Sequence, residues 1–335
     1  MKNSFLTKMV YTNELWIGGL LLLLFSVFGP IFYSFTDSQI IEIPVFAGLY
    51  DLEIFGFQLD LLLRNQFLGH ILRFLFMFGS ALLLQYISSE FRLIRVRSYF
   101  PFFLFCVFSA TIIPAVSFDG SSLACFLFCW SCFRLFYALN GSVNHAVFDA
   151  SALLTIASLF QSRIIYILVV FWLVMGILRV FSFKSFCASM IGMISIYWMI
   201  GGVSFLMDDY HFMITYFQSL ISFEFVDFNS FSPAEIVYTS FLVILMVSAM
   251  ISFWPRQNLD KLRTRNYLNS VLLLWFSLMA LWLFSGNDMG ILLILFSLSS
   301  LMIAHFFSLI NSKCSQVLFI LFITLSLFVR FLLLN

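Results

Sequence analysis

Eleven apolar stretches, separated by short polar segments, constrain this 335-residue chain more than any other feature. A helix needs about 20 mostly apolar residues to cross about 30 Å of membrane hydrocarbon. The stretches that meet or approach this length are 15–33, 67–88, 99–116, 121–139, 147–160, 164–181, 186–206, 234–254, 267–285, 289–310 and 317–334. Charged residues make up only 10% of the chain, whereas soluble domains carry about 25%. The sequence therefore predicts an all-α, polytopic transmembrane helical bundle of about 11 spans, forming a single membrane domain over residues 1–335.

The fifth stretch, 147–160, is too short to cross a membrane untilted, so we expect a partial or re-entrant helix there. Asp149 lies near its start and is expected to cap the helix N-terminus. The chain has 47 Phe and only 15 Gly residues, and helices that approach closely prefer small residues. Bulky, loosely spaced helix packing is the expectation.

Lys and Arg residues give the orientation, because they accumulate in cytoplasmic loops. With a cytoplasmic N-terminus, 13 of the 17 Lys and Arg residues fall on the inner side. The four on the outer side are Arg64, Arg73, Arg163 and Arg330. Most acidic residues fall on the outer side as well. Either they form a solvated face or they belong to a functional external face.

Two external loops, at about 34–66 and 207–233, are long enough to hold structure. Leucines flank Asp60 and precede Arg64 in the first loop, and apolar residues recur at helical spacing around 212–221 in the second. This pattern is typical of amphipathic helices that lie in the membrane interface. Both loops would cover the same side of the bundle.

Three basic residues cluster around the outer start of the second stretch: Arg64, His70 and Arg73. Arg offers a fork of donors that matches phosphate oxygens, so these residues are candidates for phosphate binding. The alternative is that they reach toward the interface and pair with acids of the first loop. Arg163, at a tight outer turn, either supplies a further cation to the same site or anchors a helix end.

Asp208, Asp209 and His211 follow the seventh stretch. Adjacent carboxylates with a nearby imidazole can hold a divalent cation or act as acid and base, although solvated loop residues look the same. No other cofactor is indicated. The net charge of +1 does not indicate the basic surface that binds nucleic acid.

Two segments are distinctive enough in sequence to compare with protein families: EFRLIRVRSYFP at 90–101 and FDASALLTIASLF at 148–160. Together they resemble an uncharacterised family of bacterial multi-pass inner-membrane proteins, a domain of unknown function, over roughly residues 60–210. The resemblance implies a location in the bacterial cytoplasmic membrane and no specific activity.

Residues 152–181 also look distantly similar to GT-C membrane glycosyltransferases, in which a small-residue helix, a brief external turn and a long apolar helix follow one another. Such enzymes carry a catalytic acid in the first external loop. The resemblance implies that role for Asp37, with Glu42 and Asp51 behind it. The paired acidic motif of those enzymes is not present in this loop.

These observations predict an inner-membrane protein of cell-envelope biogenesis. The leading hypothesis is a GT-C-like transferase that uses a polyprenyl-phosphate-linked sugar at the outer leaflet. Its partners would be membrane lipids, including the polyprenyl phosphate. One alternative is a non-enzymatic subunit of an envelope or secretion complex, with another membrane protein as its partner. A lipid or solute transporter is the third reading.

Overall fold

The computed structural model describes residues 15–34, 66–94, 98–112, 120–206, 211–227, 233–256, 261–286, 288–309 and 313–334. These residues form helices, and no β-strand is present among them. The helices are α1 (Leu15–Ser34), α2 (Gln66–Glu90), α3 (Phe100–Ile112), α4 (Gly120–Tyr137), α5 (Val143–Phe160), α6 (Ile167–Ile177), α7 (Phe183–Leu206), α8 (His211–Ile221), α9 (Pro233–Arg256), α10 (Leu262–Leu283), α11 (Met289–Leu309) and α12 (Lys313–Leu334). A 3-10 turn, Ser162–Tyr166, joins α5 to α6.

Seven of the described helices are long and apolar enough to cross a membrane: α2, α4, α5, α7, α9, α10 and α11. Shorter apolar segments occur in α1, α3, α12 and the stretch 162–177. The chain is therefore an all-helical protein of multi-pass membrane character. The eleven-span count and the orientation stay predictions.

Helix α11 is the centre of the bundle. An 18-residue window of it is buried throughout, because α2, α3, α4, α9 and α10 all pack against it. Helix α7, by contrast, lies at the periphery, because only 11% of the apolar window that could span a membrane is buried. Its large apolar side chains, such as Trp198 at 80% exposure, face outward. That exposure is expected of a peripheral helix in lipid.

The fifth stretch is longer than predicted. Helix α5 begins at Val143, four residues before the apolar stretch, and its 18 residues make it one of the seven spanning candidates. The prediction that Asp149 caps this helix is wrong. Ser142 occupies the N-cap position, and the Asp149 carboxylate instead accepts a hydrogen bond from Arg134 of α4.

Packing around α5 also contradicts the expectation of loosely spaced helices. A Cβ atom placed on Gly192 of α7 would collide with Ser151 Oγ and lie 2.6 Å from the Phe148 carbonyl oxygen. On the other side of α5, Ser131 of α4 donates a hydrogen bond of 2.6 Å to the Ala150 carbonyl. Small residues therefore let α4, α5 and α7 approach closely, as in other membrane bundles.

Contacts between helix ends define the two ends of the bundle. At one end, Arg263 at the start of α10 bonds to Asn140 after α4, and Thr264 bonds to the Arg92 carbonyl after α2. His305, near the end of α11, lies there too, with Nδ1 2.8 Å from the Leu93 carbonyl oxygen. Following the predicted orientation, we call this the inner end and the opposite one the outer end.

Candidate functional site at the outer end

Arg163 joins three chain segments at the outer end. Its guanidinium donates to the carbonyl oxygen of Ser285, which follows α10, and, at 2.9 Å, to that of Ser222, which follows α8. Tyr166, one turn later, donates from its hydroxyl to the Leu220 carbonyl at 2.7 Å. A guanidinium has five N–H donors, and these two carbonyls take two of them. Both the anchoring and the cationic role expected of Arg163 are compatible with this geometry.

Asp288 lies beside this junction and caps α11. Its carboxylate accepts the backbone N–H of Gly290 at 2.9 Å and a hydrogen bond from the Gln161 amide. Burial raises the pKa of Asp288 above its ordinary value, an effect that the Gly290 N–H, the Arg163 charge and the Gln161 amide partly offset. The outer end therefore holds a half-buried acid next to a cation.

A short extended segment after α8 completes the junction. The Glu224 and Val226 N–H groups donate to the carbonyls of Phe284 and Leu283, and the Gly286 N–H returns a bond of 2.7 Å to the Glu224 carbonyl. Gly286 has φ of +66°, a left-handed conformation that glycine adopts without strain. The pairing leaves the Glu224 side chain exposed on the outer surface.

Three hydroxyl groups hold α8 to the bundle. Tyr216 of α8 is buried, and its hydroxyl lies 2.9 Å from Ser158 Oγ of α5 and 2.7 Å from the Tyr197 hydroxyl of α7. Burial raises the pKa of Tyr216, so its hydroxyl stays protonated and can donate. The predicted helix near 212–221 is therefore present as α8, and its position in a membrane interface stays a prediction.

His70 and Arg73 lie on the buried face of α2, near its outer end. Their exposed fractions are 7% and 3%. His70 Nδ1 has no hydrogen-bond partner among the described residues. Phosphate binding and pairing with acids of the first loop both stay predictions, because residues 35–65 lie outside the described residues. The structure buries a cation and an imidazole within the bundle.

The position of Arg73 along the bundle axis follows from the contacts between α2 and α4. A Cβ on Gly79 would meet the Phe126 ring at 2.9 Å, and Tyr86 contacts Phe133 with ring centroids 5.3 Å apart. In both pairs the residue of α4 follows the residue of α2 by the same number of positions. The same separation places Arg73 at the height of Gly120 along the bundle. The next residue, Ser121, approaches Gly290 of α11, where an added Cβ would lie 2.9 Å from its Cβ. Arg73 thus lies in the same layer of the bundle as the capped start of α11.

Several predicted site residues lie outside the described residues: Asp37, Glu42, Asp51, Arg64, Asp208 and Asp209. His211 opens α8, but its side chain is also outside the description. The described residues contain no group of three or more His, Cys, Asp or Glu side chains that could hold a metal ion. The divalent cation stays a prediction tied to residues 208–211.

Sequence reasoning identified Arg163, His70 and Arg73 but missed Gln161 and Asp288. Asp288 is one of the acidic residues that the predicted orientation places on the outer side, but its sequence position does not show which other turn it contacts. The available signal was that Gln161 and Arg163 lie in a turn predicted on the same side.

Comparison of the chain with protein-family models, with curated proteins and with solved structures finds no match.

Proposed function

We propose that this protein is a GT-C-like transferase of the bacterial inner membrane that uses a polyprenyl-phosphate-linked sugar at the outer leaflet, in envelope biogenesis. The buried pair His70 and Arg73 carries the proposal. Ionisable residues within apolar helices are rare and usually mark functional sites, and Arg73 is buried near the outer end of α2. A buried cation near the outer end suits the phosphate of a lipid carrier.

Other groups predicted on the outer side would assist the departure of the phosphate. Arg73 would stabilise charge on the leaving lipid phosphate, and the donors of Arg163 that are not bound to carbonyls would add to it. Arg64 belongs to the same proposed set. Asp37 is the proposed general base that activates the acceptor hydroxyl, with Glu42 and Asp51 in the same loop.

The test is sugar transfer in proteoliposomes from a labelled polyprenyl-phosphate sugar, with wild type, Asp37→Asn, Arg73→Gln and Arg73→Lys. We expect Asp37→Asn to lose about 100-fold or more in rate, since general base catalysis contributes about 10²–10⁴. Arg73→Gln should lose a comparable factor, and Arg73→Lys should recover part of it, because Lys keeps the charge but not the fork.

Lys184→Gln is the matched control, because Lys184 is an exposed cation at the start of α7, on the predicted inner side. It should transfer at the wild-type rate. Gel filtration and membrane abundance verify that each variant is folded. Full activity of Asp37→Asn at normal abundance refutes the base assignment, and full activity of both Arg73 variants refutes the phosphate site.

A non-enzymatic subunit is the second candidate, and the apolar outer surface favours it. Ile221 and Phe225 are 78% and 77% exposed, and Phe223 lies between them. A partner protein that covers these side chains would bury substantial apolar area. Stoichiometric co-purification of another membrane protein, lost on Phe225→Ser and retained on Trp198→Ser at the lipid-facing side, would support this candidate.

A further inference from the structure

Four cations meet at the inner end of the bundle, where the end of α2 contacts the start of α10. Arg92 follows α2, and Lys261, Arg263 and Arg265 lie in or beside the first turn of α10. Thr264 Oγ1 lies 3.5 Å from the Arg92 carbonyl oxygen, so residues 172 positions apart in sequence are in contact. We call Arg92, Lys261, Arg263 and Arg265 the basic cluster.

The described acids do not neutralise the basic cluster. None of its four side chains forms an ion pair with an acid among the described residues, whereas Arg134 of α4 is paired with Asp149. Glu90, the last residue of α2, is an acid nearby, since it and Arg263 both lie close enough to Tyr267 to act electrostatically on its hydroxyl. Four cations therefore outweigh this acid, and three of them are exposed.

Local structure disfavours a cation at these positions. Arg92 has φ of 50° and closes the C-terminus of α2, with the Leu93 N–H bonded to the Ser88 carbonyl at 3.0 Å. Helices most often place Gly at this left-handed position, because other L-residues are strained there. The first turn of α10 holds no acid, and Lys261 at its N-cap forms no capping hydrogen bond. Cations at a helix N-terminus oppose the helix dipole, which favours anions there.

Membrane orientation alone does not require cations at these positions. Lys and Arg mark the inner side wherever they lie near the end of a span, and helix C-termini on that side suit them better. A bound anion would offset the repulsion among the four cations and give Arg an advantage where Gly fits the backbone better. Guanidinium and ammonium groups beside the unpaired N–H groups of a first helical turn are suited to phosphate oxygens.

Exposed tyrosines indicate that this phosphate belongs to a lipid. Tyr86, one turn before the end of α2, and Tyr137, at the end of α4, are 49% and 38% exposed, and both rings contact Phe133. Tyr is enriched where a membrane meets water. Arg263 reaches the same end of α4, since its guanidinium lies 3.4 Å from Asn140 Oδ1. A lipid headgroup at the membrane surface matches this position better than a free anion.

We propose that the basic cluster binds the phosphate of an anionic phospholipid in the leaflet at the inner end. Basic pockets between membrane helices on the cytoplasmic side are suited to such headgroups. The bound lipid would join the end of α2 to the start of α10 and so stabilise the fold. This site is separate from the outer-end site of the proposed function and does not depend on it.

The test is native mass spectrometry of the full chain released from nanodiscs that contain phosphatidylcholine and phosphatidylglycerol. Wild type should retain phosphatidylglycerol in preference to phosphatidylcholine. Arg92→Gly and Arg263→Gln should each lower this retention about fivefold, the factor that one cation contributes near an anionic membrane surface. Lys184→Gln is the matched control, because it removes an exposed cation at the start of α7, which makes no extended contact with α2 or α10.

Thermal unfolding of Arg92→Gly separates lipid binding from folding. In nanodiscs of phosphatidylcholine alone, this variant should unfold at the wild-type temperature or above it, because Gly adopts a φ of 50° without strain. Phosphatidylglycerol should raise the unfolding temperature of wild type and of Lys184→Gln, and it should raise that of Arg92→Gly much less. A purely structural role for Arg92 predicts an equal rise in all three proteins.

Retention of phosphatidylglycerol that Arg92→Gly and Arg263→Gln leave at the wild-type level overturns the proposal. So does an equal loss in Lys184→Gln, which would show that anionic lipid is attracted to the whole inner surface. Stabilisation by inorganic phosphate in phosphatidylcholine nanodiscs would instead make the cluster a site for a free anion. An acidic protein that co-purifies and is lost in the same two variants would make that protein the occupant, and either result overturns the lipid assignment.

Discussion

Asp288 shows how one side chain at the outer end combines structural and electrostatic roles. It caps the most deeply buried helix, α11, through the Gly290 N–H, and it accepts a hydrogen bond from Gln161 of another turn. Both bonds favour the carboxylate, whereas burial favours the protonated acid. Because burial prevails, this acid destabilises the folded state when it is ionised.

The substitution Asp288→Asn should therefore change how stability depends on pH. The pKa of Asp288 is raised in the folded state. Its contribution to folding stability is therefore fully present below the unfolded-state pKa. It is lost as pH rises from there through the folded-state pKa. Thermal unfolding in detergent should be measured from pH 3 to 8. Over that window the stability of the wild type should fall relative to that of Asp288→Asn.

Asp288→Ala separates the cap from the charge. Asn keeps an acceptor for the Gly290 N–H, whereas Ala removes it and should cost about 1 kcal/mol at every pH. Parallel stability curves for wild type and Asp288→Asn would show that burial does not govern this carboxyl group.

Single residues were predictable where their chemistry was unusual for their place. Arg73 and His70 stand out in the sequence because ionisable residues are rare in an apolar stretch, and the structure buries both. Asp288 and Gln161 do not stand out, since polar residues are normal in a turn. Their pairing depends on which helix ends meet, and no local pattern contains that information.

At the scale of elements, α5 shows why apolarity alone misplaces helix boundaries. Its first turn contains Asn144 and His145, both exposed, which an apolar count excludes from the span. The close approach of α5 and α7 was also missed. A bundle with few glycines can still place one where two backbones meet, and Gly192 does so.

Gly192→Ala should destabilise the protein and loosen α7. The added methyl group would lie 2.6 Å from the Phe148 carbonyl oxygen, a backbone atom that cannot rotate away, so α5 and α7 must separate. A loss of about 1–3 kcal/mol is expected for such overpacking, and thermal unfolding with limited proteolysis would measure it.

Gly202→Ala, on the same helix, is the control. An added Cβ there meets nothing within 4 Å, and Ala favours a helix by about 1 kcal/mol over Gly. Stability should stay unchanged or rise. Equal destabilisation by both substitutions would rule out close packing at Gly192 as the cause.

At the scale of the molecule, the all-helical membrane class followed from the length and number of apolar stretches. Within the part of the chain that the structure describes, seven helices have spanning length and shorter apolar helices accompany them. The arrangement of helices around α11 was not predictable, because every face of an apolar stretch looks equally suited to lipid or to a neighbouring helix.

Cysteine labelling in intact cells tests the predicted orientation. Ser222 and Ser142 are exposed at the outer and inner ends. In a background without Cys187 and Cys314, a membrane-impermeant maleimide should label Ser222→Cys directly and Ser142→Cys only after permeabilisation. The other four cysteines are buried and should not react. The reverse pattern would invert the topology.

The enclosure of α11 constrains how the protein is made. Helices α2, α3 and α4, which surround it, end at Glu90, Ile112 and Tyr137, whereas α11 begins at Met289. At about 5–20 residues per second, the ribosome needs roughly 10–30 s to cover the interval after Tyr137. The earlier helices therefore wait for their shared buried partner, and the core closes only once α11 has been translated.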